Sequence, residues 1–148
     1  MRLLFNILAV TGSAMFAGVM LTIGVTLGGY WKSLPAAEFL DWFSKNSGFI
    51  SGAIPIVVVP TLVGLIGSLW LGWGDVGPHM LWIGSAACIA GVLALTMIWF
   101  VPTNAQFAAK ALPLDQVPDR LNTWIMIHYV RIGLAAAASA LGVLAISR

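Results

Sequence analysis

Charged residues are spread so thinly along this chain that the intervals between them dictate what it can fold into. Between Arg2 and Lys32 lie 29 uncharged residues, between Lys45 and Asp75 another 29, and between Asp75 and Lys110 there are 34. A fourth apolar segment, Leu121 to Ser147, carries a single charge, Arg131. About 20 apolar residues rising about 1.5 Å each cross the hydrocarbon core of a bilayer, so all four segments are long enough to span it. In hydrocarbon every backbone polar group must be paired internally, and the alternating pattern of barrel strands is missing. The sequence therefore predicts an all-α fold: an integral membrane, multi-pass four-helix bundle. One domain covers residues 1–148, with helices at about 3–30, 49–73, 79–101 and 120–146.

Composition agrees, with 60% hydrophobic and only 8% charged residues, where soluble domains carry about a quarter. Seven basic and five acidic residues give a net charge of +2, and the basic ones are scattered, so nucleic acid is excluded as a partner. The lone Cys88 forms no internal disulfide and reads as a small buried residue. The first apolar run is about twice the length of a secretory signal's and lacks a cleavage box, so it is expected to stay as a helix.

Small residues four apart, at Gly18/Thr22, Gly24/Gly28, Gly48/Gly52, Gly84/Cys88 and Gly133/Ala137, are candidate sites of close helix approach. Pro55 and Pro60 each remove a backbone hydrogen bond from the second helix and are expected to shape the bundle. The connection Trp31 to Ser47 sets Glu38, Asp41 and Lys45 among aromatic residues, which predicts an amphipathic segment lying in the interface. Gly74 to Pro78 reads as a short turn, and Pro102 to Asp119 as a polar connection. Lys32, Lys45, Lys110 and Arg120 on one side, against Arg2 and Arg148 on the other, tilt the first and third connections towards the cytoplasm by a narrow margin.

Chemistry is concentrated on the fourth helix. Trp124, His128 and Arg131 fall at i, i+4 and i+7, within a sector of about 60°. Arg131 sits about 16 Å along that helix if it starts near Arg120, too deep for exposure to lipid, so it is expected to face inward. No acidic residue lies within a span to neutralise it, which favours an anionic or polar ligand. The alternative is a bracing role, with Arg131 snorkelling to the interface or capping carbonyls freed near Pro102 or Pro55 and Pro60. Trp124 reads equally as an interfacial anchor like Trp31, Trp73 or Trp82. The only two histidines, His79 and His128, fall at opposite membrane faces, so no metal site and no bis-histidine haem is expected.

The third helix ends in Val101-Pro102-Thr103-Asn104, followed after a loop by Trp124-x-x-x-His128-x-x-Arg131 and an alanine-rich run. This pairing resembles the anthrone oxygenase-like family of small four-helix membrane proteins. A glycine-rich first helix, the Phe39-to-Phe43 segment and a proline-containing second helix agree, so the resemblance spans nearly the whole chain. It implies a monooxygenase of polyketide pathways that oxidises electron-rich polycyclic phenols, typically anthrone to anthraquinone. Dioxygen is then the co-substrate and no bound cofactor is strictly required. Carried over, the motif implies catalytic roles for Asn104, His128 and Arg131 and substrate binding for Trp124. His128 would be the general base, Arg131 and Asn104 would stabilise charge on the substrate oxygen, and Trp124 would pack on the flat rings.

The expected partners are the lipid bilayer and a small aromatic or lipid-soluble substrate, and a homo-oligomer is compatible with the sequence. Two other classes use the same residues. A binding or transport module would hold an organic anion on Arg131, although the inverted repeat of secondary transporters is missing. A structural subunit would bury its apolar faces against a larger membrane complex.

Overall fold

The computed structural model describes residues 1–148 and contains helices and no strand. Four helices are long and apolar enough to cross a membrane: α1 (Arg2–Ser33), α2 (Ala36–Leu71), α3 (Val76–Ala108) and α4 (Val117–Ile146). Each starts or stops for a local reason. Leu34 is extended, as a residue preceding proline prefers, and Pro35 caps α2. Gly72 ends α2. Beyond α3, Lys110 adopts a left-handed backbone (φ 52°), with the Lys110 N–H donating to Phe107 O and the Ala111 N–H to Gln106 O. Those two bonds satisfy carbonyls that a helix end leaves free. Pro118 lies in the first turn of α4, where its missing N–H costs nothing.

Successive helices alternate in direction. Arg2 pairs with Asp75 of the α2–α3 turn at 2.7 Å, and Arg148 lines the same cleft, so both ends of the chain lie at one end of the bundle. Lys110 pairs with Asp41 at the other end. The packing order is α2, α1, α4, α3, and the seam between α2 and α3 is the loosest of the four.

Three expectations need correction. The Trp31 to Ser47 stretch is amphipathic, with Phe39, Leu40 and Phe43 buried and Glu38, Asp41 and Lys45 exposed, but from Ala36 it forms the first turns of α2. Its buried aromatic side continues straight into the bundle face of α2, so nothing interrupts the helix. Likewise Pro102 does not end α3, which continues to Ala108, so the polar connection shrinks to residues 109–116. A π-helical turn, Thr96–Phe100, immediately precedes Pro102 and accommodates its missing N–H.

The third concerns the small residues. Gly24 and Gly28 pack against His128, Ile132 and Ile125 of α4 and Gly84 against Leu141, as expected, but Gly18, Gly48, Gly52 and Gly133 face open space and draw no helices together. Close approach occurs instead at Gly12 and Gly64, where α1 crosses α2. A Cβ on Gly64 would overlap the Ala9 backbone, and one on Gly12 would lie 2.6 Å from Thr61 Oγ1. Two apolar cores result. One runs through mid-bundle and includes Phe16, Leu65, Trp82 and Ile89. The other, largely aromatic, closes the Asp41–Lys110 end with Trp31, Phe39, Phe43, Phe107 and Trp124.

Candidate functional site

Between the two cores lies a cavity of about 260 Å³, near the lower end of the size range of ligand pockets, to which all four helices contribute. Asn104, Trp124, His128 and Arg131 all line it, so the structure brings the four expected residues together. The fourth helix provides three of them because positions 124, 128 and 131 share its inward face, and all three are buried.

Their contacts are specific. The Trp124 Nε1–H donates to Asn104 Oδ1 at 2.8 Å, tying α4 to α3 and leaving the Asn104 amide NH2 as a donor. Trp124 stacks on His128 with ring centroids 4.7 Å apart and planes within 15°. Its edges meet Trp31 and Phe100. Trp124 thus has one face covered by His128, and it orients that ring. His128 Nε2 lies 2.7 Å from the Met20 carbonyl oxygen. A carbonyl can only accept, so Nε2 carries the proton, and in the neutral ring Nδ1 holds the lone pair. That Nδ1 is buried and has no partner.

Arg131 is 6% exposed and forms no ion pair; both salt bridges of the molecule lie at the ends of the bundle. Its guanidinium carbon rests 3.9 Å from the centroid of the Phe100 ring, and Nη2 donates to Met20 Sδ at 3.3 Å. A desolvated cation–π contact is worth up to about 2 kcal/mol, and a thioether is a weak acceptor. Holding arginine in mid-membrane costs about 2.5–3.5 kcal/mol on insertion scales. The neighbours therefore compensate the charge only in part, and Nε has no partner at all. Three residues of the lining thus keep buried polar atoms without a partner: the acceptor Nδ1 of His128 and the donors Nε of Arg131 and Nε1 of Trp31. Each unsatisfied buried group costs about 1–3 kcal/mol, more if charged, which a ligand carrying an anionic oxygen and an acidic proton would relieve.

Four further contributors are not assigned to the site by the sequence. Met20 supplies both its carbonyl and its sulfur, yet reads as one more apolar residue of α1. Phe100 supports the guanidinium and lies immediately before the Val101-Pro102-x-Asn104 motif, the only hint of its role. Trp31 reads as an interfacial anchor but is buried against the site. Gly24 sits where a Cβ would lie 3.0 Å from His128 Cδ2, so this glycine makes room for the imidazole. Both π-helical turns, Ile23–Leu27 and Thr96–Phe100, border this cavity. Such turns often accompany functional sites because they re-aim neighbouring backbone and side chains.

His79 packs against Trp73 by the α2–α3 turn, away from His128. No three His, Cys, Asp or Glu side chains come together, and Cys88 is free and half-buried. A larger open cleft of about 810 Å³ lies by Arg2, Asp75 and Arg148, but there the Arg2 and Asp75 charges already compensate each other.

No curated protein and no solved structure matches the chain. The family model described as anthrone oxygenase matches residues 39–141, more than half of the sequence and a span that includes Asn104, Trp124, His128 and Arg131. The chain belongs to the anthrone oxygenase family.

Proposed function

We propose that this chain is a membrane-embedded monooxygenase that converts the activated ring CH2 of a flat, electron-rich aromatic ketone of the anthrone type into a carbonyl, using dioxygen. The observation that carries the reading is the joint presence, in one cavity, of a histidine with a free Nδ1 and an arginine without a counter-charge. Membership of the family supports the same activity.

The chemistry follows from the groups present. His128 Nδ1 takes a proton from the CH2 carbon, and the electron pair delocalises onto the ketone oxygen as an aryloxide. Arg131 and the Asn104 amide NH2 stabilise that oxyanion; the site is screened from water, so each donor counts for more than in solution. The electron-rich anion gives one electron to dioxygen, and the resulting carbon radical and superoxide combine to a peroxide, which takes a proton from the histidine. Loss of water from that hydroperoxide leaves the new C=O. One dioxygen is consumed, one oxygen atom enters the product and the other leaves as water. Trp31, Phe43 and Phe100 give the rings an apolar enclosure.

The test incubates detergent-solubilised protein with anthrone under air and under nitrogen, with and without a chelator. Quinone formation matched one-to-one by oxygen uptake is expected in air, and none under nitrogen. His128→Ala should lower turnover about 10²-fold or more. Arg131→Lys should restore only part of the activity lost in Arg131→Gln, because a flexible point charge does not reproduce a planar fork of donors. Oxygen-independent retention of an organic anion, with no turnover, would overturn the reading in favour of a binding module. Loss of activity with chelator would bring a metal into the mechanism.

A further inference from the structure

We propose that the cavity is loaded sideways from the bilayer, through a mouth between α2 and α3 whose lips are Ser51 and Pro55 on one side and Val101 on the other. This rests on the cavity being a ligand site, as argued above, and adds the route and the physical class of what can enter.

The lining residues themselves locate the mouth. Phe16, Trp31, Phe43, Phe100, Trp124, His128 and Arg131 are buried, whereas Ser51, Pro55 and Val101 are exposed. All three exposed residues lie on α2 and α3, the pair whose seam is loosest. Beside these lining residues, Gly48 and Gly52 of α2 have nothing packed against them. Towards the Asp41–Lys110 end the aromatic core closes the bundle. Towards the other end, Phe16, Leu65 and Ile89 do the same.

Depth decides what the mouth faces. Ser51 lies ten residues along α2 from Asp41, about 15 Å at 1.5 Å per residue. Val101 lies seven residues, about 10 Å, inside the end of α3 at Ala108. With the Asp41–Lys110 pair at headgroup level, the mouth opens well inside a hydrocarbon layer about 30 Å thick. Phe49, Ile56 and Ile98, exposed by 82%, 70% and 78%, flank it and suit acyl chains. Water-borne anions have no path there; a neutral, flat, lipid-dissolved molecule has one.

The lips are not wholly apolar. Ser47 and Ser51 stand one helical turn apart and both line the cavity. Pro55 has no N–H, so the Ser51 carbonyl lacks its regular helical partner. Peripheral phenolic hydroxyls of an incoming ring system meet acceptors at the mouth, while the Arg131 and His128 end takes the ketone and the acidic CH2. The route therefore selects a neutral, hydroxylated, lipid-soluble polycycle that ionises only after it reaches His128.

Loading can be followed without turnover. The probe is 1,8-dihydroxyanthraquinone delivered from donor phosphatidylcholine vesicles to protein in acceptor vesicles, read as quenching of tryptophan fluorescence; Trp31 and Trp124 line the cavity. Wild type should quench saturably. Ser51→Phe and Val101→Phe, on opposite lips, should each slow entry by about tenfold, as a narrowed path requires. Ile98→Phe, outside the mouth, should load like wild type. Arg131→Gln should weaken equilibrium binding without slowing entry. Unchanged rates in both lip variants, equal slowing in Ile98→Phe, or no saturable quenching in wild type would overturn the proposal. Loading as expected from a protein that never oxidises anthrone would instead overturn the oxygenase reading alone.

Discussion

Arg131→Met separates a functional arginine from a bracing one, because the two roles predict opposite changes in stability. Arg131 sits eleven residues inside α4 from Arg120, with no carboxylate partner. Its insertion costs about 2.5–3.5 kcal/mol, and the Phe100 contact returns at most about 2 kcal/mol. The balance is a deficit of about 1 kcal/mol, which the proposed ligand-binding role accounts for and a bracing role does not. Methionine has similar length, carries no charge and sets a thioether near the Phe100 ring, a contact worth about 0.3–1.5 kcal/mol. Arg131→Met should therefore stabilise the bundle by about 1–2 kcal/mol. At about 2–4 °C per kcal/mol for a chain of this size, the melting temperature in a fixed detergent should rise by several degrees. Anthrone oxidation should meanwhile fall about 10²-fold or more, the scale expected when an oxyanion donor is removed. A variant that melts several degrees lower would refute the reasoning: it would mean that the charge braces α1 and α3 through Met20 and Phe100.

Two further substitutions probe the packing that holds the site. Gly64→Ala forces a methyl group into the Ala9 backbone and should destabilise by about 1–3 kcal/mol, whereas Gly18→Ala, facing open space, should be neutral or slightly stabilising in the same thermal melts. Gly24→Ala would set a Cβ 3.0 Å from His128 Cδ2 and 3.3 Å from Ile132 Cδ1, so the imidazole must shift by a few tenths of an ångström. Turnover should fall about tenfold with little change in melting temperature, and a variant with unchanged turnover would show that the ring position is not tightly required.

The number and class of the helices were legible because charge is excluded from hydrocarbon, and long uncharged intervals leave few alternatives. Their ends were less so. From composition alone the stretch after Ala36 is an interfacial segment, since Glu38, Asp41 and Lys45 look like the boundary of a span. What the intervals do not reveal is that Phe39, Leu40 and Phe43 lie on the bundle side of one continuous helix, so the three charges simply emerge above the apolar layer. Some of the glycine pairs, Gly48/Gly52 among them, misled for a related reason. Spacing of four marks residues that share a helix face, but not whether the face meets another helix: Gly48 and Gly52 face open space, whereas Gly24 and Gly28 face α4.

The polar half of the site could be read because arginine, histidine and asparagine are expensive in a membrane and rarely sit there without a role. Its other half is made of groups that sequence does not distinguish. A backbone carbonyl exists at every residue, and Met20 O matters only because the turn that follows it is π-helical and faces His128 across the α1–α4 contact. The same holds on α3, where the π turn Thr96–Phe100 carries Phe100 round to lie under Arg131, just before Pro102 and Asn104. Each of these α4 side chains is thus held by a helix other than its own: His128 by α1, Arg131 by α1 and α3, and Trp124 by α3. A residue on α4 keeps its geometry only while α1 and α3 keep theirs, so the Gly12 and Gly64 crossing, which fixes α1 against α2, indirectly sets the position of the His128 ring. The α2–α3 seam holds none of these contacts, so on the proposed lateral route a ligand would enter without displacing the groups that fix His128, Arg131 and Trp124.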